Sequence, residues 1–80
     1  MIVNNGNWAQ VSVESGLPGI RTVAFILRRD GYKVTTSSMG RQVTPYGVMR
    51  LTMIDVRPGA NEDTFKVNEV VRCHLPAATL

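Results

Sequence analysis

The sequence predicts a mainly helical α+β domain built around a helix-turn-helix, with a C-terminal strand or wing. Apolar residues recur at helical spacing in two segments, and prolines and glycines stand at the ends of these segments. Apolar and polar residues alternate near the C-terminus, as in a half-buried strand. A small β-rich sheet or barrel is the alternative, because the apolar segments also contain residues that favour strands.

The length and charge of the chain limit what it can be. Its 80 residues suffice for a single domain, 1–80, with a small core. The net charge of +3 is unevenly divided: residues 16–54 carry six basic residues and one acidic residue, whereas the rest carries three basic and five acidic. Such a basic segment, at +5 against −2 elsewhere, is typical of a domain that faces a polyanion, although a solvated basic face has the same composition.

Several function classes lack support in the sequence. Cys73 is the single cysteine, so no internal disulfide can form, and in a strand its side chain and that of His74 would point to opposite faces. No apolar segment resembles a signal peptide or a membrane span. We therefore expect a cytoplasmic protein that is not an enzyme and has no catalytic residues, metal or cofactor.

The first elements follow from periodicity. Residues 8–14 fit either a strand or a helix. In either case this element ends before the segment 16–19, which is rich in Gly and Pro. From Pro18 a helix is predicted, with an apolar stripe at Ile20, Val23, Ala24 and Leu27. Gly31 is placed to end this helix, and Arg28 and Arg29 suit its C-terminal dipole. A strand over 22–27 is the competing interpretation.

The second half of the chain contains two further predicted elements. Residues 32–43 indicate a loop, with a short extended piece at 32–35. Thr44 and Pro45 suit the cap and first position of a second helix, Pro45 to Ile54, with a strand over 48–56 as the competing interpretation. After a linker at 57–63, the alternation over 64–75 predicts a strand or strand pair, and 76–80 is expected to fray.

Residues of the two predicted helices resemble a known DNA-binding module. The spacing Val23-Ala24-x-x-Leu27-x-x-x-Gly31, followed by Gly40-Arg41-x-Val43-Thr44-Pro45-x-x-Val48-x-Arg50-Leu51, covers about residues 16–54. It resembles the helix-turn-helix in the recombinase domain of large serine recombinases and in phage and plasmid regulators. The resemblance implies DNA binding and transcription regulation. Recombinase activity does not carry over, because no catalytic serine domain is present.

The resemblance also implies roles for individual residues. Tyr46 and Arg50 would face base edges, with Thr44 capping the recognition helix. Contacts to phosphates would come from basic and polar residues before that helix: Arg21, Lys33, Ser37, Ser38, Arg41 and Gln42. Arg50 could instead be an ordinary surface arginine, and Tyr46 could cover an edge of the core.

The expected partner is double-stranded DNA, bound by a homodimer, since one such module contacts few base pairs. The rival function is a small β-rich module that binds and inhibits a host protein. Its strands would be formed by 21–27, 48–56 and 64–75. Neither function involves a membrane.

Overall fold

The computed structural model describes residues 2–5 and 8–75 and contains four strands and two helices. In chain order these are β1 (Ile2–Asn5), β2 (Trp8–Glu14), α1 (Gly19–Arg29), β3 (Lys33–Thr44), β4 (Gly47–Arg57) and α2 (Thr64–His74). The strands form one antiparallel sheet in the order β1-β2-β4-β3. This architecture matches the β-rich alternative, and the prediction of a mainly helical fold is wrong.

The core lies between one face of the sheet and the two helices. Along β2, the buried side chains of Ala9, Val11 and Val13 alternate with partly exposed polar ones, and Val11 pairs with the buried Ile54 of β4. The helices contribute buried residues to the same cluster: Val23, Ala24 and Leu27 from α1, and Val67 and Val71 from α2. The ambiguous first segment is therefore a strand with one buried face.

The first predicted helix is confirmed. Its buried residues Val23, Ala24 and Leu27 belong to the apolar stripe that predicted it. Gly31 follows the helix with a φ of 101°, a conformation that glycine adopts without steric cost. Its amide donates to the carbonyl of Arg28 at 3.2 Å and so closes the last turn. The competing strand over 22–27 is wrong.

The second predicted helix is wrong, and the helix-turn-helix with it. Residues 45 and 46 form a turn, and 47–57 form β4, as the competing strand interpretation proposed. The hydroxyl of Thr44 accepts from the Tyr46 amide at 3.2 Å and donates to the Gly47 carbonyl at 2.8 Å. The Thr-Pro pair therefore closes a hairpin, because proline suits the second position of a turn as well as the start of a helix.

Two further predictions are wrong, one because β3 pairs with β4 and the other because a helix begins at a cap residue. Of the loop expected at 32–43, residues 33–43 lie in β3, which pairs with β4 on both sides of a bulge between Ser38 and Gly40. The strand expected at 64–75 is α2, capped by the Asp63 carboxylate, which accepts from the Phe65 amide at 3.0 Å. Val67 and Val71, four residues apart, are its buried face. The tail at 76–80 lies outside the described residues.

The two helices run antiparallel. Side-chain contacts hold them together at the end near the turn between α1 and β3. The ammonium group of Lys66 lies 3.8 Å from the carboxylate of Asp30. The buried Tyr32 donates its hydroxyl proton to the carbonyl of Asp63, the residue that caps α2. This hydrogen bond links the start of α2 to the segment that follows α1, so it stabilises the packing of the two helices against each other.

Stability should decline at alkaline pH because of Tyr32. Burial, and then the negative charges of Asp63 and Asp30, raise the pKa of this phenol above its ordinary value of 10.0. The folded state therefore keeps a proton that the unfolded state releases, and the free energy of unfolding falls as pH rises above about 10. Denaturant titrations between pH 7 and 11 would measure this fall.

Tyr32→Phe is the matched variant for that measurement. It should cost about 1 kcal/mol at neutral pH through the lost hydrogen bond. Its stability should then vary less than that of the parent above pH 10, because the titrating group is absent. Equal alkaline slopes in the two proteins would contradict this role of Tyr32.

Candidate functional site

The long hairpin of β3 and β4 extends beyond the rest of the sheet. Strand β2 pairs with β4 from Leu51 to Val56, whereas the ladder between β3 and β4 continues as far as Thr44 and Gly47. Residues 40–50, here called the arm, therefore form a two-stranded ribbon. Among the described residues, no third strand pairs with this ribbon. Four to five residues of extended chain give it a reach of about 15 Å.

The base of the arm is held by specific contacts. The Ser15 amide donates to the Arg50 carbonyl at 2.9 Å, and the hydroxyls of Ser15 and Thr52 are 2.7 Å apart. A bulge in β3 between Ser38 and Gly40 lies next to Leu51, the residue of β4 at which the pairing with β2 ends. Gly40 has a φ of 76°. Because bulges bend strands and increase their twist, we expect β3 to bend where the arm leaves the sheet.

The tip of the arm is an ordered turn with apolar residues around it. The two Thr44 hydrogen bonds fix the backbone of the turn at Pro45 and Tyr46. Tyr46 is 97% exposed, and Val43 is 88% exposed. A large aromatic and a β-branched side chain are thus held in solvent without covering any core.

One face of the arm carries two cross-strand pairs. Val43 lies opposite Val48, and Arg41 lies opposite Arg50. Since directly opposed residues share a face, and so do residues two apart on one strand, all four side chains project from the same side. This face has valines toward the tip and arginines toward the base, with Val48 66% exposed.

The two arm arginines form no ion pair among the described residues, where the ion pairs are those of Arg57 and Lys66. Arg57 is 2.9 Å from the Asp55 carboxylate and stacks on Trp8, with 4.8 Å from its guanidinium carbon to the ring centroid. Arg28 donates to the Val34 carbonyl at 3.0 Å. Within the same residues, Arg41 and Arg50 form no ion pair, no side-chain hydrogen bond and no cation–π contact. The same is true of Arg21, Lys33 and Arg72. Of these five, only Arg41 and Arg50 are placed opposite each other.

The structure gathers some of the predicted site residues and separates others. Arg41, Gln42, Thr44, Tyr46 and Arg50 all lie on the arm or at its tip. Ser37 and Ser38 precede it on β3, where the Ser38 hydroxyl accepts from the Gly40 amide at 3.2 Å.

Two predicted residues lie outside this group. Lys33 is at the opposite end of β3, across from Arg57. Arg21 is exposed on the first turn of α1.

Two residues of the arm face, Val43 and Val48, are absent from the predicted site. A second helix would place Val48 on the same apolar face as Leu51, whereas in the strand the residue is exposed. The segments 41–43, Arg-Gln-Val, and 48–50, Val-Met-Arg, show no alternation of apolar and polar residues, so no local pattern marks these valines as exposed residues of a strand.

Comparison with protein-family models, curated proteins and solved structures found no match for this chain. Neither helix of the described part of the chain is long and apolar enough to cross a membrane. The chemistry of the arm is accordingly the main guide to function.

Proposed function

We propose that this protein is a protein-interaction module that docks through the arm and inhibits its partner. The observation that carries this proposal is the exposed set of Val43, Tyr46 and Val48 on an ordered ribbon that projects from the sheet. Apolar side chains held in solvent at a projecting tip favour insertion into a cavity or groove on another macromolecule.

The composition of the arm favours a protein as that macromolecule. Tyrosine and arginine are enriched among the residues that contribute most to protein–protein affinity, and both occur here beside apolar residues. The turn is closed by hydrogen bonds, and the base is joined to Ser15. An arm ordered before binding loses little conformational entropy on docking.

The proposed activity is inhibition by occupation of the partner's groove. The two helices cover one face of the sheet and enclose the small core. The most exposed large apolar side chains of the described residues, Tyr46 and Val43, lie on the arm. We place this activity in the cytoplasm and assign no catalytic step to the chain.

DNA binding remains a second candidate because of the charge of the hairpin. Residues 31–54 contain Lys33, Arg41 and Arg50 and no acidic residue. A two-stranded β-ribbon can enter a DNA groove, and a homodimer would present two such ribbons. This candidate requires an affinity that falls steeply with salt, because each phosphate contact releases counterions.

Comparative capture tests the first proposal. The immobilised protein is exposed to nuclease-treated extract of the cells that encode it, alongside a Val43→Ser, Tyr46→Ser double variant. A partner should be retained at least tenfold more by the parent than by the variant, since the variant keeps the fold but lacks the apolar tip. Phe65→Ser is the control, because Phe65 is an aromatic residue on α2, outside the arm, and is 66% exposed.

The complementary measurement is a titration of random duplex DNA at two salt concentrations. We expect weak binding to the duplex and a capture that depends on the tip. Equal capture by the parent and the tip variant would contradict the proposed function. Strong, salt-dependent duplex binding by the parent would favour the DNA candidate instead.

A further inference from the structure

We infer that Arg41 and Arg50 form a clamp for a carboxylate group of the protein partner. This inference rests on the proposed function and specifies the partner's chemistry: an acidic side chain beside the apolar pocket that receives the tip. It assigns different tasks to the two halves of the arm face. The valines and Tyr46 enter the pocket, and the arginines bind at its rim.

The cross-strand pairing places the two guanidinium groups within reach of one anion. Directly opposed residues of antiparallel strands have Cβ atoms about 5 Å apart, and Arg41 and Arg50 are such a pair. A carboxylate has two oxygens, so it can accept hydrogen bonds from both guanidinium groups at once. Charge-assisted bonds of this type are about twice as strong as neutral ones.

The protein itself supplies no acidic group to this pair among its described residues. Glu14 lies opposite Leu51, one residue beyond Arg50, so its side chain points to the other face of the ribbon. Asp55 is already bound by Arg57. Like charges placed directly opposite each other destabilise a strand pair, and a bound carboxylate would remove that repulsion.

The surroundings of the clamp favour a protein carboxylate over the phosphates of a nucleic acid. Val43 and Val48 lie two residues further along each strand, about 7 Å from the arginines. Both valines are exposed, and the arm contains no lysine. Binding along a nucleic-acid backbone draws on several cations in a row, whereas here two cations are followed directly by an apolar surface.

The test is an NMR titration of the full chain labelled with nitrogen-15. The probes are poly-L-glutamate and a 12-base-pair DNA duplex, each added at 50 mM and 200 mM salt. Poly-L-glutamate should shift the side-chain Nε–Hε signals of Arg41 and Arg50 more than those of other arginines. An Arg41→Gln, Arg50→Gln variant should bind it at least tenfold more weakly, and the higher salt should weaken binding to the parent.

Arg21→Gln, Arg72→Gln is the matched control, because both of its arginines are exposed on helices and have no ion pair among the described residues. It should bind poly-L-glutamate as the parent does. Equal loss in the two double variants would overturn the inference in favour of diffuse attraction. Tighter binding of the duplex than of poly-L-glutamate through the arm arginines would overturn it in favour of a nucleic-acid site.

The outcomes for the clamp and for the proposed function are separable. If the tip variant loses the captured partner while Arg41→Gln, Arg50→Gln retains it fully, the proposed function stands and the clamp is refuted. If poly-L-glutamate binds at the two arginines but tip substitutions leave capture unchanged, the clamp persists as an anion site and docking through the tip is refuted.

Discussion

Gly19→Ala is expected to unfold much of the protein or to lower its stability severely. A methyl group at position 19 would lie 2.1 Å from the carbonyl oxygen of His74, which is backbone at the C-terminal end of α2. The start of α1 and the end of α2 would have to separate, and both helices bury apolar residues in the same core. We expect a loss of about 3 kcal/mol, toward the upper end of the usual cost of overpacking.

Thermal unfolding followed by circular dichroism measures this effect. In a domain of this size, a loss of about 3 kcal/mol lowers the melting midpoint by more than about 12 °C. Thr22→Ala is the control, since Thr22 is exposed on the same helix and alanine favours helices. Equal midpoints for the parent and Gly19→Ala would show that the two helix ends do not approach each other as described.

Local sequence signals were sufficient for α1. Its apolar stripe, its terminal arginines and Gly31 all point to the same element, and the helix ends where they indicate. For α2 the signals conflict. Phe65, Val67, Val71 and Leu75 fit an alternating pattern, but the buried pair Val67 and Val71 fits a helix as well, and Asp63 is the cap that distinguishes them.

The long hairpin could not be derived from local signals. Residues 35–38 are hydroxyl-bearing residues that favour loops as readily as strands, and they adopt a strand because β4 pairs with them. Thr44 and Pro45 suit both a helix start and a turn, and Val48 and Leu51 fall at helical spacing within a strand. Pairing between distant segments decides both cases.

The candidate site was partly accessible from the sequence despite the incorrect fold. Arg41, Tyr46 and Arg50 were predicted from the resemblance to a helix-turn-helix module, and all three lie on the arm. Their geometry was inaccessible, because on a helix Arg41 would precede the element that carries Arg50. The opposed pair exists through the strand register alone.

Shortening the arm should abolish partner binding while leaving the fold intact. In the proposed variant, residues 42–49 are replaced by Asn-Gly, a sequence that closes two-residue hairpins. The core cluster contains no residue of the removed segment. Arg50 is retained, so its carbonyl still accepts from the Ser15 amide. We expect a melting midpoint within about 5 °C of the parent, a shift that corresponds to about 1 kcal/mol.

The shortened protein also separates the two halves of the arm face. It lacks Val43, Tyr46 and Val48, so the partner captured by the parent should be lost completely. It keeps Arg41 and Arg50 on either side of the new turn, so poly-L-glutamate should still shift their Nε–Hε signals. Retained capture by a folded, shortened protein would contradict docking through the tip. Loss of both activities in a folded protein would mean that the arginine pair depends on the removed ribbon for its geometry, contrary to a clamp set by their direct opposition.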